Sequence, residues 1–306
     1  MTKHSASFIS FSILLFSCAT AQAALIAYEP FNDTTPNRVL GQANASTGTS
    51  WLLAAAAAAG GDTTGVNVAS GSLAVPAVMP TPIGNSATIN GNGNSSGAAD
   101  RLAFASVGGA ITSGSVFFSM AVKITDVNAA QSNNTIGGFF FGLNNTGNSA
   151  TTTNPSSVAA RLQMRIDPTD ASKYDLAIFN NRAAVSTSPF WTSGLTVGDT
   201  QFLVGSYDIA NQVSKLWVNP SMNTFGDNSL TPAATVSDTT AGAAINIASI
   251  ILRQSPAPFV NLDEIRVGTD WASVTAPEPG TLTLLVLACG VLSSAVRKRR
   301  AELCEI

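Results

Sequence analysis

The sequence predicts an all-β protein, an antiparallel two-sheet sandwich held between two short apolar segments at the ends of the chain. Three observations carry that prediction. Apolar residues recur with a period of two through ten segments of the interior, and turn-forming clusters rather than long helical stretches separate them. Charged residues are only 11% of the 306, against roughly 25% in soluble proteins, so the polar faces are built mainly of Ser, Thr, Asn and Gly. The contiguous apolar runs sit at the termini, where targeting segments lie.

Residues 1–23 read as a secretory signal peptide. Lys3 supplies the positive n-region, residues 8–16 (FISFSILLF) the apolar core, and Ala21-Gln22-Ala23 the small-x-small cleavage site. The body then runs over residues 24–276.

Its first unusual segment is Leu52-Leu53 followed by six alanines and Gly60-Gly61. Alanine favours helix and Gly60 suits a C-terminal cap, which predicts one or two helical turns; an alanine-rich loop is the alternative. Strand periodicity follows over residues 66–75, 102–107, 116–124, 136–143, 161–167, 174–179, 202–209, 213–218, 247–253 and 260–267. In 116–124, Phe118, Met120, Val122 and Ile124 share one face opposite Ser119, Ala121 and Lys123. In 161–167, Leu162, Met164 and Ile166 face in while Arg161, Gln163 and Arg165 face out. Turns are expected at 91–97, 144–155 and 208–212, and at Asp167-Pro168-Thr169-Asp170. In the last strand, strict alternation groups Asp263 with Ile265 and Val267 on the core side and Glu264 with Arg266. A carboxylate on the core side needs backbone N–H partners or a cation.

At the C-terminus, Pro277-Glu278-Pro279 precedes the apolar residues 280–296 and then Arg297-Lys298-Arg299-Arg300. Seventeen helical residues span roughly 26 Å at ~1.5 Å per residue, close to a bilayer core. The basic cluster orients this predicted transmembrane helix with its C-terminal end in the cytoplasm. Residues 301–306 form a short tail.

The order of Pro277, Glu278 and Pro279, the apolar helix, and Arg297 to Arg300 resembles the PEP-CTERM sorting signal of exported proteins. That resemblance implies an exosortase-type processing protease as partner, removal of the tail, and delivery to the cell surface or extracellular matrix. A second resemblance covers most of the body. Residues 25–31 (LIAYEPF), 71–73 (GSL), 216–220 (LWVNP) and 263–271 (DEIRVGTDW) follow the order found in LamG-like, concanavalin-like jelly rolls. It implies two curved antiparallel sheets with the first and last strands close together. It also implies calcium as the one candidate cofactor, with Asp263 the candidate ligand, although no Asp-x-Asp-x-Asp loop supplies further oxygens.

Much chemistry is absent from the body. His4 leaves with the signal, and Cys18, Cys289 and Cys304 all lie in the terminal segments. A Ser-His-Asp triad, a cysteine nucleophile and a His-ligated zinc therefore have no residues to use. Removing the ends takes five of the fifteen basic residues and three of the eighteen acidic ones, leaving a body of net charge −5. That disfavours a nucleic-acid partner. The body's two glutamates, Glu29 and Glu264, have no acidic neighbour at i±2, as a glycosidase pair on one strand would require. Rings for stacking on sugars are Phe190, Trp191 and Tyr207, with Trp191 the least periodic; core packing is the default for Trp217 and Trp271. The expectation is a non-enzymatic, exported envelope or matrix protein associated with exopolysaccharide. A lectin-like polysaccharide-binding module is the alternative, and a glycoside hydrolase the third reading.

Overall fold

The computed structural model describes residues 25–33, 39–55, 66–89, 99–104, 109–127, 138–149, 157–180, 191–240, 242–253 and 259–276. The signal segment, residues 56–59 of the alanine run with Gly60 and Gly61, Phe190, and Pro277, Glu278, Pro279, Arg297, Lys298, Arg299 and Arg300 lie outside them. Among the described residues no helix is long and apolar enough to cross a membrane.

In chain order the strands are β1 (Leu25–Glu29), β2 (Ala43–Asn44), β3 (Thr49–Ser50), β4 (Leu52–Ala55), β5 (Val66–Ala69) and β6 (Ser86–Ile89). Next come β7 (Ala99–Ala103), β8 (Ser115–Asp126), β9 (Gly138–Asn144), β10 (Val158–Ile166), β11 (Lys173–Phe179) and β12 (Leu195–Thr196). The chain continues through β13 (Thr200–Asp208), β14 (Val213–Val218), β15 (Val236–Asp238), β16 (Ser249–Arg253), β17 (Phe259–Gly268) and a short helix α1 (Trp271–Thr275). The first sheet has the order β15-β14-β13-β8-β17-β6-β5, with β1 also paired to β17; the second has the order β12-β11-β10-β9-β16-β7-β4. Every pairing is antiparallel, and the first strand lies directly on the last.

The period-two pattern places the core between the sheets. Phe118, Met120, Val122 and Ile124 from β8 face Phe141, Leu143, Leu162 and Met164 from β9 and β10, all completely buried. Phe118 and Phe141 meet with ring centroids 4.6 Å apart. Phe118 fits because residue 205 opposite it is glycine, where a Cβ would fall 2.1 Å from its ring tip.

Three expectations need correction. Leu52–Ala55 is an edge strand on β7 and not the start of a helix. Ala54 is fully buried with Ala99, Phe139, Val158 and Ile251, so sheet pairing and packing override alanine's helix propensity. The strand expected over 66–75 stops at Ala69. Gly71, in the left-handed region at φ 92°, turns the chain out of the sheet.

The third correction concerns the closing strand. Asp263 pairs with Ala121 and Arg266 with Ser119, so two residues of β17 oppose the single residue 120 of β8. This bulge, with Glu264 at φ 54°, shifts the alternation by one. Val260, Leu262, Ile265 and Val267 all reach the core, while Asp263, Glu264 and Arg266 all stand on the outer side. Asp263 therefore does not share a face with Ile265 and Val267, and adjacent Asp263 and Glu264 do not point apart.

Candidate functional site

The outer face of the first sheet is lined with large apolar residues that the chain must cover. Phe202 and Val204 of β13 and Trp217 of β14 point outward, because Leu203 and Leu216 take the core positions. Residues 219–235 and α1 lie over them. Asp270 starts α1 with a capping box shared with Ser273, which fixes Trp271 at the first helical position. Trp271 is 1% exposed, meets Trp217 edge-on at 5.2 Å and donates Nε1–H to the Thr224 carbonyl at 2.7 Å. Trp217 donates in turn to the Pro232 carbonyl at 2.9 Å, which pins residues 231–234 as a lip.

Between that lip and the β13–β14 hairpin lies a cleft of about 500 Å³. Its floor is aromatic: half-buried Phe117 of β8 stacks on Trp217 at 6.2 Å with 22° between planes. Polar side chains rim it, with Ser115 and Ser206 along the strands and Asp208, Asn211 and Lys215 at the hairpin. Asn211 holds Asp208 twice, donating its backbone N–H at 2.9 Å and its side-chain amide at 2.8 Å. Partial desolvation opposes the Asp208 charge, but those bonds and the Lys215 ammonium hold its carboxyl below the usual range. An apolar ring beside a fixed carboxylate, an amide and hydroxyls suits a sugar, which presents C–H patches and hydroxyl groups together. Among the described residues lining the cleft, Asp208 is the one carboxylate.

The second group of acids surrounds the closing strand. Asp263 is fully buried and accepts from Leu73 N at 2.7 Å and Glu264 N at 2.7 Å, one bond on each oxygen. Burial pushes its carboxyl up to about 8, against those two bonds. Glu264 accepts from the Tyr28 hydroxyl at 2.9 Å and from Ile83 N at 3.2 Å, and Arg266 Nη2 lies 3.7 Å from it. Glu29 accepts from Phe31 N, Asn44 Nδ2 and Trp51 Nε1, while burial raises its pKa. Asp263 is closed from solvent and the Arg266 guanidinium stands 3.7 Å from Glu264, so these residues do not present calcium with the roughly six to eight oxygens it takes. Among the described residues no group of three or more His, Cys, Asp or Glu side chains is placed to hold a metal ion. Asp263 instead ties β17 to the segment crossing its outer side.

The candidate rings separate. Trp191 is half-buried, with the Arg165 guanidinium over its ring at 4.5 Å and Phe179 edge-on at 6.2 Å. Tyr207 is corrected: it is fully buried in the core on the same face of β13 as Leu203 and cannot stack on a ligand. Trp217 and Trp271 are packed, as expected, although in a satellite cluster rather than between the sheets. Phe117 is the cleft ring that the sequence pattern does not mark as a stacking candidate. Its signal is its parity: it falls on the polar face of β8 with Ser115 and Ser119, an outward aromatic that alternation alone exposes.

No protein-family model matches this sequence, and no curated protein matches it. Solved structures resemble it distantly. The binding domain of botulinum neurotoxin serotype G aligns at 9% identity and TM-score 0.35 over 66% of this chain, which spans 42% of that chain. The metal-free carbohydrate recognition domain of Emp46p aligns at 11% identity and TM-score 0.40, over 80% of this chain and 96% of that one. Alginate lyase A1-II' aligns at 12% identity and TM-score 0.36, over 67% and 80%. Likenesses this distant, to binding modules and an enzyme alike, leave function to the chain's own residues.

Proposed function

We propose that this chain is an exported, non-enzymatic polysaccharide-binding sandwich that takes neutral glycan into the cleft over Phe117 and Trp217. The observation that carries the reading is the stacked aromatic floor rimmed by Asp208, Asn211 and Ser206. The terminal segments supply the delivery: the signal peptide exports the chain, and the PEP-CTERM-like tail hands it to an exosortase-type protease at the membrane. The body is a LamG-like jelly roll in this reading, supported by its motif order and by the pairing of β1 with β17.

Retention of the full-length chain on neutral glucan columns tests the cleft. Phe117→Ala is expected to weaken retention about tenfold, the loss of ~1.4 kcal/mol that one aromatic contact supplies. Unchanged retention, or no retention of the unmodified chain on any glycan, overturns the reading. Cell fractionation tests the delivery: the expected product lacks residues 1–23 and lies beyond the inner membrane, and an uncleaved chain confined to the cytoplasm refutes it.

A further inference from the structure

The outer face of the second sheet gathers positive charge that an acidic body does not spread evenly. Along β10, Arg161, Gln163 and Arg165 alternate with the core residues Leu162 and Met164, so all three project from one side. Register sets Gln163 opposite Ala177 and Phe139, and Arg165 opposite Asp175, whose Oδ2 accepts from Arg165 Nε at 2.8 Å. Arg253 of β16 extends the face, its guanidinium 5.4 Å from the Phe139 ring centroid, and Arg101 lies on the neighbouring strand. Four of the body's ten basic residues thus share this side. Asp175 is its one carboxylate within β7, β9, β10, β11 and β16, since Asp100 turns inward to accept from Val66 N.

A second observation specifies the chemistry. The donors Trp191 Nε1 and Arg253 Nε and the acceptors Gln163 Oε1 and Asp175 Oδ1 are enclosed without a hydrogen-bond partner. Gln163 and Asp175 are 3% and 2% exposed, whereas Arg161, Arg165, Arg253 and Trp191 are half-buried and reachable. Guanidinium groups match carboxylates in fork geometry. Gln163 and Asp175 are closed to a ligand, and half-buried Trp191 offers an apolar ring edge beside the arginines.

We infer that this face binds a uronic-acid polysaccharide, whose carboxylates meet Arg161, Arg165 and Arg253 while its ring lies against Trp191. The inference concerns a surface separate from the cleft and stands without it. The test uses the full-length Phe117→Ala chain, so that the cleft does not contribute. It is passed over immobilised polygalacturonate, over the same polymer with its carboxylates reduced to alcohols, and over single-stranded DNA. Retention on polygalacturonate is expected to exceed that on the reduced polymer at least tenfold and to exceed that on DNA. Adding Arg161→Gln and Arg253→Gln is expected to abolish most of it without moving the melting temperature. The reduced polymer changes only the ligand, so the result does not depend on a variant's folding. Equal retention on the two polymers, or stronger retention on DNA, overturns the inference. Loss of neutral-glucan binding by Phe117→Ala with polygalacturonate binding intact concerns the cleft alone.

Discussion

The two outer faces of the sandwich solve the same problem differently. A sheet buries one side against its partner and must make the other side compatible with water or cover it. The first sheet carries Phe117, Phe202, Val204 and Trp217 outward and covers most of them with residues 219–235, α1 and the segment containing Met79. The second sheet carries Arg161, Gln163, Arg165 and Arg253 outward, with Phe139 and Trp191 lying under guanidinium groups, beside a buried apolar cluster of Ala54, Ala99, Val158 and Ile251. The contrast teaches where each face can meet a ligand. Covering leaves a cleft only where the cover stops, at Phe117; an arginine face offers its charge along the strands.

The comparison can be broken at its strongest point first. Trp271→Ala removes the residue that ties the cover to Trp217, Phe225 and the Thr224 carbonyl, and it is expected to cost about 3–5 kcal/mol in a denaturant melt. Trp191 on the arginine face has no such bond and is half-buried, so Trp191→Ala is expected to cost less, and a comparable loss would erase the contrast between the two faces.

A smaller effect comes from the acids on the outer side of β17. The Asp263 carboxyl is pushed up to about 8, above its unfolded value near 4, so its contribution is complete below pH 4 and is lost as pH rises through 8. Burial raises Glu29 in the same direction. No histidine lies between residues 24 and 276, so imidazole titration does not confound the interval. Stability measured in urea is expected to fall by at least about 1.4 kcal/mol between pH 5 and pH 8, the equivalent of one unit of proton affinity. Asp263→Asn is expected to flatten that slope, and an unchanged slope would remove Asp263 as its source.

Much of the sandwich was legible because burial on one side imposes a period of two. β8, β10, β11 and β14 fall where their alternation placed them, and the Asp208 hairpin and Asp167 turn appear where turn chemistry demanded. The β17 bulge was also written in the chain, since Leu262 and Ile265 are three apart where alternation requires two. The cleft was less legible. Trp191 breaks periodicity in the sequence, yet the outward ring of the cleft is Phe117, which keeps its strand's periodicity on the wrong side for an apolar residue.

The sequence by itself determined that the body is an antiparallel sandwich without histidine or cysteine, because composition and alternation are local properties of the chain. Only the tertiary structure decided which outward residues are covered, that Leu52–Ala55 is a strand, and that Asp263 faces backbone donors rather than the core. Those outcomes depend on partners distant along the chain, such as Arg101 for Leu52 and Leu73 for Asp263, and no local pattern encodes a distant partner's position.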